Sequence, residues 1–165
     1  MAARMELVAG DRAAIVTALA AGDPDTLDDR RRFPAHLSLG GGLDPTWLDL
    51  FSEACRSVGG SSEPDDFLDA RRELDPSIAP KEATAPEGGD GPTVELVDPA
   101  WVAAVARVPR TDVDRVAGRW IDLLDEEIGP IGREDKPWIR GLAADLVAFA
   151  RAAEPAPDVV FAWSL

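Results

Sequence analysis

The sequence predicts an α+β fold: a mostly helical single domain whose amphipathic helices pack on a small β-sheet that includes the C-terminal strand. Three observations carry this. Long stretches of the second half place apolar residues at spacings of three and four, as helices with one wet face do. Short alternating or continuously apolar runs, "MELVAG", "AHLSLG", "TVELV" and "VVFAW", lie between or beside them. A chain of 165 residues with a single cysteine is long enough for one core without disulfide staples.

In chain order, "MELVAG" reads as a first strand. "GDRAAIVTALAAGD" reads as a helix with Asp11 near its N-cap and Ile15, Ala18 and Leu19 on one side. "DPDTLDDRRR" is a short helical turn, in which Arg30, Arg31 and Arg32 are expected to pair with Asp25, Asp28 or Asp29. "AHLSLGGG" alternates, with Leu37 and Leu39 on one face and His36 and Ser38 on the other. From Asp44 the period becomes helical: Trp47, Leu50, Phe51, Ala54 and Val58 share a stripe, Pro45 suits the first helical position, and Asp44 can cap it. Gly59 and Gly60 stop that helix. From about 61 to 92 the pattern lapses, apart from a possible helical piece "PDDFLDARREL", into too much Pro, Gly and charge to pack. This predicts a long irregular surface loop within one domain spanning 1–165.

The second half is clearer. "TVELV" is a strand, after which Asp98 and Pro99 open a helix carrying Trp101, Val102, Val105 and Val108. A second helix from Thr111 lines up Val113, Val116, Ala117, Trp120, Ile121, Leu124 and Ile128. A third from Pro137 lines up Ile139, Leu142, Ala143, Leu146, Phe149, Ala150 and Ala153. The closing run Val159 to Trp163 has no polar face, which puts it inside the sheet, with "TVELV" and "HLSLG" as its expected neighbours.

"LDPTWLDLFSEACRSVGG", Leu43 to Gly60, resembles the Leu-Asp-x-x-Trp-x-x-Leu helix of the YfbM-like family of uncharacterised bacterial proteins, and "VELVDPAWVAAVARV" is similar to that family's later strand and helix. The ending, a long helix and then a short apolar strand, fits too, so the resemblance runs from about Asp11 to the end. Leu48 stands where the family commonly has a histidine after the motif tryptophan. The resemblance implies an α+β fold in a bacterial protein and no particular catalysis.

The formal net charge is −14, from 31 acidic and 17 basic side chains. Such a field repels phosphate backbones, so nucleic acid is not the expected partner and a basic protein is. Glu6, Asp11 and Arg12 interrupt the apolar patches of the N-terminal segment, which therefore reads as neither a signal peptide nor a membrane span. Cys55, lone and among apolar residues, suits a reducing, cytoplasmic setting and a buried, inert thiol.

Catalytic motifs are thin. There is no Gly-x-Ser-x-Gly elbow, and "GGGLD" lacks the Lys-Ser/Thr of a phosphate loop. His36, the single histidine, could join Asp49 and Glu53, one helical turn apart, and Asp44 in a mixed nitrogen and oxygen metal site. One imidazole is little for a tight site. Asp122, Asp125, Glu126 and Glu127 crowd the C-terminal end of a helix, where the macrodipole disfavours them, a conflict that can mark a surface kept for a basic partner. Trp138, at a helix start, can lend such a surface an aromatic anchor. The expected function is accordingly a soluble, non-catalytic interaction protein of the immunity or inhibitor type, needing no cofactor. The alternative is a metal-dependent enzyme or small-ligand binder built on His36 and nearby carboxylates.

Overall fold

Strand β1 (Arg4–Gly10) ends in the apolar run Leu7-Val8-Ala9, all fully buried, and such a run needs cover on both faces. The computed structural model, which describes residues 4–22, 24–40, 43, 45–59, 67 and 93–164, provides it. Helix α1 (Arg12–Ala21) follows directly, because the Asp11 carboxylate accepts the amide of Ala14 at 3.0 Å, and Gly22, at φ 68°, ends it in the left-handed conformation. A single turn, α2 (Pro24–Leu27), leads to β2 (Ala35–Gly40) and then to α3 (Pro45–Val58). After β3 (Thr93–Leu96), Asp98 accepts from Ala100 at 2.8 Å and opens α4 (Pro99–Ala106). A 3₁₀ turn at Arg110–Asp112 precedes α5 (Val113–Glu127), so the regular helix begins two residues later than Thr111; α6 (Lys136–Ala153) and β4 (Asp158–Ser164) complete the order.

The four strands form one antiparallel sheet in the order β2-β1-β4-β3. β4 is internal, as its apolar faces require, but its neighbours are β3 and β1. The expected pairing with "HLSLG" is therefore corrected. β1 matches β4 residue for residue, from Arg4 opposite Ser164 to Gly10 opposite Asp158, and leaves β2 the outer edge.

Register assigns the faces. Leu7 lies opposite both Leu37 and Phe161, and Ala9 opposite Ala35 and Val159. These side chains point inward, toward helices α3 to α6, in one cluster with Leu48, Phe51, Trp101, Trp120, Ile139 and Leu146. The buried indoles leave no donor stranded: Trp101 Nε1 donates to the Leu48 carbonyl and Trp120 Nε1 to that of Trp47, each at 2.8 Å. On the outer face Val8 lies opposite His36 and Val160, and Val160 opposite Leu96. Ile15 and Ala18 of α1, Leu27 of α2 and Phe33 cover the apolar part of that face.

Most of the expected 61–92 loop lies outside the described residues, as do "PDDFLDARREL" save one residue and the proposed cap Asp44. The exception is Phe67. Its ring is fully buried, 4.9 Å from that of Trp101 and 5.3 Å from that of Phe161, and its amide donates to Asp49 Oδ1 at 2.7 Å. The possible helical piece within the expected loop thus supplies a core aromatic.

Candidate functional site

The structure separates the residues of the suggested metal site. His36 projects from the outer sheet face, whereas α3, which carries Asp49 and Glu53, packs on the inner one. Asp49 is engaged by the amide of Phe67. Among the described residues no group of three His, Cys, Asp or Glu side chains is arranged to hold a metal ion.

The carboxylates His36 does meet are Glu6 and Asp28. Its Nε2 lies 2.7 Å from Glu6 Oε2 and its Nδ1 2.9 Å from Asp28 Oδ1. An ionised carboxylate only accepts, so both contacts are hydrogen bonds at once when both ring nitrogens carry protons, that is, in the imidazolium form. The Glu6 bond, the larger influence, and the Asp28 bond raise the His36 pKa above its ordinary value, against a desolvation that lowers it. Ser38 donates to the other Glu6 oxygen at 3.4 Å, and Arg30 lies 3.5 Å from Asp28. The His36 bond holds Asp28 below the usual carboxylate range. Glu6 and His36 are mostly covered, and Asp28 is open to water. In sequence, Glu6 reads only as an interruption of an apolar patch and Asp28 only as a partner for arginine.

The second feature is the corner between α5 and α6. Ile128 and Trp138, 47% and 48% exposed, are the exposed large hydrophobic side chains among the described residues, and both belong to it. Asp122, Glu126 and Glu127 are exposed on the last turns of α5. Asp125 differs from them, because its Oδ1 accepts the amide of Ile131 at 2.6 Å and so closes the turn after the helix. Four carboxylates at a helix end look alike in sequence, and the geometry divides them into three that face water and one that shapes the chain.

A cavity of about 470 Å³ opens between the end of α3, α4 and the turn before α5, lined by Cys55, Val58, Ala103, Arg107, Val108 and Asp112 among others. Burial pushes the Cys55 thiol up to about 12, which leaves it unreactive at neutral pH. Cys55 is thus part of the cavity wall and not a nucleophile.

Compared with known proteins, the chain matches no family model, no curated protein and no solved structure. Among the described residues no helix is long and apolar enough to cross a membrane.

Proposed function

We propose that this protein acts by binding, and that the α5–α6 corner docks a basic protein partner in the manner of an immunity or inhibitor protein. The supporting observation is the coincidence at one corner of two exposed large apolar side chains and three exposed carboxylates. A half-exposed tryptophan is the kind of anchor that carries interface energy, and a charged rim governs encounter and partner choice. The net charge of −14 favours a basic partner over an acidic one. The three remaining acids also lie where the helix dipole gives no structural reason for them.

Affinity capture from the host lysate, run in parallel with wild type, Trp138→Ala and the triple variant Asp122→Asn, Glu126→Gln, Glu127→Gln, tests this. The expected result is a basic protein held by wild type at low salt, weakened at high salt and lost with either variant. Equal capture by all three forms would remove the corner from consideration. Small-ligand binding, a second reading, draws on the cavity beside Cys55 and not on His36, and a crystal soaked with small fragments is its direct test.

A further inference from the structure

We propose that Glu6, His36 and Asp28 form a proton-operated latch, in which the imidazolium of His36 holds the turn at residues 28–32 against the outer face of the sheet and loss of its proton lets that turn go. The three groups differ in how firmly they are held. Glu6 and His36 are fixed by the β1–β2 ladder, in which Glu6 pairs with Ser38 and Val8 with His36. Asp28 belongs to the stretch between α2 and β2, whose own hydrogen bonds are local: Asp28 and Asp29 amides to the carbonyls of Asp25 and Thr26, and Arg32 and Phe33 amides to that of Asp29. A neutral imidazole has one N–H. One of the two carboxylates then faces a ring lone pair, and the partner free to withdraw is Asp28.

The surroundings leave this charge arrangement to few groups. β4 contributes Val160 and Ala162 to this face, with Asp158 at its start opposite Gly10, and β3 contributes Leu96 and Val94. β1 adds Arg4 at its outer end, opposite Ser164. α1 carries one charged side chain, Arg12 at its first position, beside the capping Asp11. On the moving stretch itself, Arg30 pairs with Asp28, Asp29 accepts from the Arg31 amide, Arg32 lies 5.2 Å over the Phe33 ring, and Asp25 stands in the first turn of α2. The ordering is therefore Arg30 to Asp28 to His36 to Glu6 to Ser38, with alternating charge from Arg30 to Glu6. Leu27 and Phe33, both buried, bracket the turn and keep its release local.

The raised His36 pKa gives the direction. A group that binds its proton more tightly when the latch is closed contributes fully below its ordinary pKa, and the contribution is lost as pH rises through the raised one. At the acid end the lowered Asp28 pKa works in the opposite sense, with closure lost as the pH falls through it. Closure is thus greatest at mildly acidic pH, above the ordinary carboxylate range of Asp28 and below the ordinary pKa of histidine.

Because the chain has one histidine, its ring resonances report the titration without assignment. The experiment follows those resonances, together with amide exchange of Asp28, Asp29, Arg32 and Phe33 corrected for intrinsic rates, between about pH 5.5 and 9, a span that brackets the ordinary histidine pKa. In wild type His36 is expected to titrate above its ordinary value, and protection of the four amides to fall in step, by up to about tenfold for each pH unit separating the closed and open pKa values. His36→Gln should show no such step. Asp28→Asn should give the low-protection state across the range and a His36 titration nearer the ordinary value. Protection that falls equally in wild type and His36→Gln would overturn the latch, as would a His36 that titrates at or below its ordinary value. An unchanged His36 titration in Asp28→Asn would remove Asp28 from it.

Discussion

The inner face of the sheet meets four helices and two buried tryptophans, whereas the outer face meets one helix and a single turn and carries a histidine held between two carboxylates. Inner contacts are apolar surface with their few polar atoms satisfied inside, as by the two indoles. Part of the outer contact is ionic and open to water at Asp28. One sheet therefore carries two kinds of stability: a larger one that hydrophobic burial makes indifferent to pH, and a smaller one that follows protonation.

The sharpest way to break this comparison is to remove what both faces share. A chain truncated after Asp158 loses β4, whose Phe161 and Val159 serve the inner cluster and whose Val160 serves the outer. At about 1.5–3 kcal/mol for each large buried side chain, that loss rivals a whole domain's stability. The truncated chain should be insoluble or molten, with its near-ultraviolet tryptophan signal gone. A cooperative transition near the full-length midpoint would show that neither face depends on β4.

Next in size is Trp120→Ala on the inner face. It should cost about 3–5 kcal/mol in urea unfolding, because losing a fully buried indole leaves a cavity beside Phe51 and removes the bond to the Trp47 carbonyl. The same loss is expected at about pH 6 and about pH 9, on either side of the histidine titration. A pH-dependent loss would mean that the inner face is coupled to a titrating group.

A third test works on the outer side. A Cβ on Gly10 would stand 3.0 Å from Phe33 Cδ1 and 3.1 Å from the Arg32 carbonyl, at φ 157°. Gly10→Ala should therefore cost about 1–3 kcal/mol and loosen the 28–33 stretch while sparing the helical layer. Heteronuclear spectra would locate the perturbed residues, and shifts concentrated in α5 and α6 would contradict the separation of the two faces. The smallest effect is expected for Trp138→Ala, which belongs to neither face and should change stability by no more than about 0.5 kcal/mol. A larger loss in thermal unfolding would make Trp138 a structural residue and weaken its assignment to an interface.

What the sequence disclosed was local. Asp11 and Asp98 read as caps because a cap acts within three residues, and the stripe from Val116 to Leu124 reads as helix because its period is internal to it. The separation of His36 and Ser38 from Leu37 and Leu39 is equally legible, since alternation needs only one strand. What it withheld depended on register and closure. That β1 and not β2 flanks β4 follows from a match between residues at the two ends of the chain, which no window of sequence contains. Glu6 stands 30 positions before His36 and Asp28 eight, so the His36 site cannot be assembled without the β1–β2 register. Phe67 is hidden by its polar neighbours, and only its single large aromatic ring marks it out.

The pairing of β1 with β4 also bears on how the domain is made. β1 is synthesised before the other strands, and until the last residues of β4 follow, its other edge has no partner. The β1–β2 unit with α1 and α2 can form early, from contacts close in sequence. The step that joins Arg4 to Ser164 closes a loop from residue 4 to residue 164, and contacts of that separation set slow folding. A growing chain therefore carries an open β1 edge until β4 has been made, and an unpaired edge of that kind is a template for pairing with other chains.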